Sequence, residues 1–220
     1  MDLRALIFDM DGTLIHTDDL HFDAYARVLA DEGVVLEREF YNTQMSGRPN
    51  LDILRDLFPE HTDERRRELM HRKEAAFRAS SGVWETLPGL SDVLAWAERQ
   101  GLARGLVTSA PRENVAFLLQ AVGLEGAFRP LVYADELPRG KPDPLPYLTV
   151  LDELGLYPEQ ALVFEDSLAG VASAVGAGIS TVGVATTQDE GALAAAGATL
   201  VIRDFSEAAL WEVLRAAERG

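Results

Sequence analysis

The chain is 220 residues long, 47% hydrophobic and 25% charged, with a formal net charge of −16 and no cysteine. That length can bury one sizeable core, or one domain carrying an insertion. The acidic balance disfavours nucleic acid backbones and anionic membranes as partners, and the missing thiols exclude disulfides, thiolate catalysis and cysteine-ligated zinc.

The first predicted strand, Leu3–Phe8, runs directly into Asp9-Met10-Asp11-Gly12-Thr13. The stretch from about His16 to Trp84 then holds no good strand. Phe22–Leu29, Leu51–Leu57 and Glu64–Arg78 have helical spacing instead. Arg65-Arg66-Arg67, flanked by acids, reads as a solvated helix face rather than a nucleic-acid patch. Leu87-Pro88-Gly89-Leu90 is the expected re-entry turn. Strands follow at Leu102–Thr108, Leu131–Tyr133, Ala161–Glu165, Ser180–Ala185 and Thr199–Ile202. Between and after them lie helical patterns at Val115–Gln120, Leu145–Leu154, Leu168–Val175, the Ala-rich Ala192–Ala196, and Glu207–Ala217. The second of these follows Asp143-Pro144, a capping residue and a helix-starting proline. Leu168–Ala185 is uncharged and of spanning length, but its four glycines and three hydroxyl residues read as helix, turn and buried strand.

Strands alternating with helices at this spacing mean a parallel sheet covered on both faces. The expected class is α/β, with a small α-helical insertion after the first strand. Residues 1–15 and 86–220 would form the core and residues 16–85 the cap.

Four strand ends carry the chemistry. In open α/β sheets the ligand crevice lies outside the carboxyl ends of the strands, and Asp9/Asp11, Thr108-Ser109, Lys141 and Glu165-Asp166 all fall there or in an adjoining loop. Asp9 is the expected nucleophile, and Asp11 the acid and base that protonates a leaving alkoxide and then activates water. Asp9 and Asp166 about 4 Å apart would repel by roughly 4 kcal/mol at an effective dielectric of 20. One lysine does not offset four carboxylates, and hard oxygen donors select Mg²⁺ as the missing cation. Its expected ligands are Asp9, the Asp11 backbone carbonyl and Asp166, with Glu165 bound directly or through water. Thr108 and Ser109 offer hydroxyls and backbone N–H groups to phosphate. Of 20 basic residues only Lys73 and Lys141 are lysines. Lys141, stiffened by neighbouring prolines, is expected to compensate charge at phosphate and at Asp9.

Taken in order, Asp9-Met10-Asp11-Gly12-Thr13, Thr108, Lys141-Pro142 and Glu165-Asp166 resemble the motifs of the haloacid dehalogenase superfamily, and most nearly its β-phosphoglucomutase-like phosphatases. The resemblance implies a Rossmann-like doubly wound core, a mobile helical cap, Mg²⁺ as cofactor, and hydrolysis of a small phosphate monoester through an aspartyl-phosphate. Halide-removing members lack an acid matching Asp11. Those that cleave carbon–phosphorus bonds use a cap lysine, and the only candidate here, Lys73, sits on a helix dense with Arg and Glu.

The alternative reading is a sugar phosphate isomerase of the β-phosphoglucomutase kind. Thr17 and His21 resemble its hinge and cap-entry residues, and His21 could help align Asp11. Gly47-Arg48 could place a cation over the substrate. After Thr108, however, mutases carry Ser-Lys-Asn where this chain has Ala110-Pro111-Arg112, so Arg112 restores at most one charge and hydrolysis is preferred. The short, acid-interrupted first strand is no signal peptide. A cytoplasmic monomer acting on a small phosphorylated metabolite is expected.

Overall fold

The computed structural model describes residues 2–46, 48–80 and 84–218. Six strands form one parallel sheet: β1 (Ala5–Phe8), β2 (Ala103–Thr108), β3 (Leu131–Tyr133), β4 (Ala161–Glu165), β5 (Ser180–Val184) and β6 (Leu200–Ile202), in the spatial order β3-β2-β1-β4-β5-β6. Each differs from its expected range by no more than two residues. Leu3, Leu102 and Thr199 precede their ladders, and Ala185 follows its own.

β1 is buried along its whole length. Its alternating side chains therefore serve two layers. Ala5 and Ile7 join Val107, Tyr147, Val150, Val163 and Ala174 in one core layer. On the other side Phe8 stacks on Phe164 with centroids 4.9 Å apart and meets the edge of Phe128 at 5.6 Å. Burying one such aromatic side chain contributes about 1.5–3 kcal/mol. Because chain order reverses direction across the sheet at β1, the tips of β2, β1 and β4 adjoin where a crevice must open.

The chain divides into two compact units, Met1–His16 with Trp84–Gly220, and Thr17–Val83. The second is helical: α1 (Asp18–Asp31), α2 (Arg38–Gln44), α3 (Asn50–Leu57) and α4 (Asp63–Arg78). Tyr25, Leu29, Tyr41, Met45 and Ile53 form one of its buried clusters, and Val28, Leu54 and Leu69 another. α2 has no counterpart among the helices expected from sequence.

Its arginines also depart from a plain solvated face. Arg65 pairs with Glu32 at 2.7 Å and Arg72 with Glu32 at 3.1 Å, tying α4 to the end of α1. Arg66 donates to the Phe58 and Pro59 carbonyls. Of the three, only Arg67 stays exposed.

The remaining helices cover the sheet: α5 (Leu90–Arg99), α6 (Arg112–Ala121), α7 (Leu145–Leu154), α8 (Leu168–Gly176), α9 (Glu190–Ala195) and α10 (Ala208–Ala217). α5 was hidden behind the re-entry turn, yet it buries Leu90, Val93, Leu94, Trp96 and Ala97. The uncharged stretch from residue 168 to 185 is α8, a turn and β5. Among the described residues no helix is long and apolar enough to cross a membrane.

Candidate active site

Parallel pairing sets the site. Phe8 lies opposite Leu106 of β2 and Phe164 of β4, so Asp9 emerges beside the ends of both neighbours. The Asp9 N–H still donates to the Phe164 carbonyl at 3.0 Å. Asp9, Glu165 and Asp166 each present a carboxylate oxygen within 4.8 Å of the others. They are 7%, 0% and 4% exposed. The remote acids expected to converge therefore do so.

Lys141 closes the group. Its Nζ donates to Asp9 Oδ1 at 2.7 Å, Glu165 Oε1 at 2.6 Å and the Val107 carbonyl at 2.9 Å. Thr108 is buried one residue further along β2. Its Oγ1 accepts the Ala110 N–H at 3.0 Å, which shapes the half-buried loop that carries Ser109.

Gly12 holds the turn after β1. Its φ of 77° lies in the left-handed region, and a Cβ there would meet Asp166 Oδ2 at 2.3 Å. Both facts require glycine. Asp11, half-buried, bridges to Ile15 within the same turn.

Electrostatics follow from burial. Desolvation raises the Asp9 carboxyl well above its usual range, against the pull of Lys141 and with further repulsion from Glu165 and Asp166. Desolvation and Glu165 likewise push Asp166 up to about 7. Burial alone would lower the Lys141 ammonium, but Asp9 and Glu165 outweigh it and keep it charged. Three buried carboxylates facing one ammonium leave negative charge uncompensated, and such a site suits a hard cation. The donor set, all oxygen, fits Mg²⁺.

Sequence reasoning missed three contributors. Tyr147, fully buried in α7, donates its hydroxyl to Glu165 Oε1 at 2.8 Å. Thr187 donates to Asp166 Oδ2 at 2.6 Å, and Thr186 to the Gly12 carbonyl at 2.5 Å. The threonines were findable, because they follow a buried strand just as the acids do. Nothing in a helix interior singled out Tyr147.

Glu165 is also held by the Ser167 N–H at 3.2 Å and hydroxyl at 3.1 Å, both on Oε2. Ser167 caps α8 as well, accepting the Gly170 N–H at 3.0 Å.

The other expected residues are already engaged. Arg112 forks onto Glu136 with two contacts of 2.6 Å and lies 4.0 Å over the Tyr133 ring. In the helical unit, Arg48 donates to the Gln44 carbonyl and Asp56. His21 stacks on Phe77 with centroids 4.2 Å apart, and its Nδ1 lies 2.8 Å from Lys73 Nζ. Gly47 lies outside the described residues. Lys73 is not on a polar face: it is 3% exposed and bonded to Glu74, which accepts from Asn50 in turn.

The model of the haloacid dehalogenase-like hydrolase family matches residues 6–184. The chain belongs to that family. Relatives to which the chain is similar include phosphatases of that family. The phosphorylated carbohydrates phosphatase of Thermotoga maritima is 34% identical over 91% of this chain and 94% of its own. The validoxylamine A 7′-phosphate phosphatase of Streptomyces hygroscopicus subsp. limoneus is 33% identical over 93% and 95%. Among solved structures, CbbY from Rhodobacter sphaeroides in complex with phosphate superposes with a TM-score of 0.84, at 27% identity, over 93% of this chain and 96% of that one.

Proposed function

We propose that this hydrolase is a Mg²⁺-dependent phosphatase for a small sugar or polyol phosphate, or a phosphoglycolate-like ester, with Asp9 as nucleophile. The observation that carries the reading is the buried group of Asp9, Glu165 and Asp166 around a single lysine. The relatives named as phosphatases of phosphorylated carbohydrates and of hexitols point to the same substrate class.

In the proposed sequence an Asp9 carboxylate oxygen attacks phosphorus. The bond from phosphorus to the ester oxygen breaks as the new one forms. Asp11 gives its proton to the departing alkoxide, then accepts one from the water that hydrolyses the aspartyl-phosphate, returning Asp9 and free phosphate. Lys141 fixes Asp9 Oδ1 and offsets charge at the transferring group. Thr108 and Ser109 are assigned to the phosphate oxygens.

Asp9 and Asp166, with the Asp11 carbonyl, would hold Mg²⁺. Glu165 would act by holding Lys141 rather than as a ligand, since Lys141, Tyr147 and Ser167 place four donors on its two oxygens. A bound Mg²⁺ supplies Lewis acidity and charge neutralisation at phosphorus.

Ala110-Pro111-Arg112, in place of the Ser-Lys-Asn of the mutases, supports hydrolysis over isomerisation, because it offers fewer donors to a second substrate phosphate. His21, Gly47 and Arg48 are proposed to select the alcohol part of the substrate. We also infer a cytoplasmic setting, which the absence of cysteine suits.

Phosphate release from a panel of sugar phosphates, polyol phosphates, phosphoglycolate and nucleoside monophosphates tests the reading. Wild type is expected to turn over at least one sugar or polyol ester with Mg²⁺ and none in excess chelator. Asp9→Asn is expected to lose at least a thousandfold while keeping the wild-type circular dichroism. Turnover that persists without metal, or in Asp9→Asn, overturns the mechanism.

A further inference from the structure

The loop after β5 supplies two side chains that no part of the proposed chemistry uses, and both end on the machinery. Thr186 Oγ1 donates to the Gly12 carbonyl, in the turn that carries Asp11. Thr187 Oγ1 lies 2.6 Å from Asp166 Oδ2, while Thr13 Oγ1 donates to Asp166 Oδ1 at 3.2 Å. The two hydroxyls thus clasp opposite oxygens of one carboxylate, one from the β1 turn and one from the β5 loop.

We propose that Thr187 is a positioning residue for the metal site: it fixes the rotation of the Asp166 carboxylate so that this ligand stands ready beside Asp9. The inference rests on the metal-dependent reading above.

The physical argument is one of lone pairs and entropy. Each ionised carboxylate oxygen has two lone pairs. One hydroxyl on each leaves the other lone pair for a cation, so clasping and ligation are compatible. An unclasped Asp166 would have to stop rotating when it ligates, and that ordering opposes binding. Partners of this kind behind a metal ligand typically set affinity by about 10–100-fold.

Sterics point the same way. The space beside Asp166 Oδ2 is so closed that a Cβ on Gly12 would also meet the Thr187 methyl at 3.0 Å. Thr187 thus lies close against the Gly12 turn while its hydroxyl holds the carboxylate. Thr186, one residue earlier, ties the same loop to the β1 turn. A single short segment thereby sets the spacing of the two strand tips that bear the ligands.

Calorimetric titration of chelator-stripped protein with Mg²⁺ tests this, with thermal melting in chelator as the fold control. Wild type is expected to bind one Mg²⁺. Thr187→Val keeps the shape and removes the hydroxyl; it is expected to bind about tenfold more weakly while still unfolding in one cooperative transition in chelator, a few degrees below wild type. Thr187→Ser restores the hydroxyl and is expected to recover affinity to within about threefold. Equal or tighter Mg²⁺ binding by Thr187→Val overturns the proposal and leaves the metal-dependent reading standing. So does a Thr187→Ser as weak as Thr187→Val, because the loss would then follow the methyl and packing. Absence of Mg²⁺ binding by wild type overturns both.

Discussion

Gly170 shows how tightly single residues are specified at the site. It sits in the first turn of α8, and a Cβ there would lie 1.9 Å from Glu165 Oε1. Glu165 cannot retreat, because Lys141, Tyr147 and Ser167 hold it. Gly170→Ala is therefore expected to destabilise the protein by about 1–3 kcal/mol, the usual cost of overpacking a filled interior. It should also lower phosphatase activity by displacing the partner of Lys141. Urea denaturation measures the first effect, and a wild-type midpoint would refute the steric argument. Legibility at this scale was uneven. Asp9, Glu165 and Asp166 could be read because each ends or follows a buried run, where charge is unexpected, and Lys141 because it is one of only two lysines in the chain. Lys73 could not be read, because its burial depends on Glu74 and the ring of His21, which only the folded helical unit brings to it.

At the scale of elements, the contact of α1 with α4 carries a pH dependence. Partial burial pushes the Glu32 carboxyl up, but hydrogen bonds from Arg65 and Arg72 outweigh it and hold it below its usual range. A carboxyl lowered on folding contributes stability above its unfolded pKa, about 4.3 for Glu. That contribution disappears as the pH falls through the folded value. Glu32→Gln should thus lose about 0.5–1 kcal/mol near pH 7, the upper range for exposed or half-exposed pairs, with the difference from wild type holding down to about pH 5 and shrinking only below it. Parallel denaturation curves of the two proteins check it, and a gap that widens on acidification would contradict the assignment. The strands were legible to within two residues because continuous apolar runs have few alternatives at those lengths. α2 and α5 were not. α2 contributes one fully buried side chain, Tyr41, and so leaves little periodic signal, while α5 starts at a proline-glycine turn that draws attention to the turn itself.

At the scale of the whole molecule, topology does what no local pattern could. Residues 9, 141 and 166 are brought together because β1 lies between β2 and β4, with the chain winding outward on either side. The sequence offered the parallel class but not the strand order, which depends on pairings between distant segments. The net charge of −16 sets the background against which this happens. A chain so acidic repels a phosphate ester at long range, and the attraction must come from a few cationic groups at short range.

Both lysines of the chain are enclosed: the Lys73 side chain is 3% exposed and that of Lys141 is 7%, each locked to a carboxylate. The folded surface therefore displays guanidinium groups but no lysine ammonium. An amine-acylating reagent applied briefly to native protein should leave both lysines untagged, whereas denatured protein should accept a tag on each. Peptide mapping by mass spectrometry distinguishes these, and prompt tagging of Lys73 or Lys141 in native protein would show that its ammonium group is within reach of solvent. Carrier coupling, dye attachment and lysine-directed cross-linking would for the same reason all pass over the two lysines of the native protein.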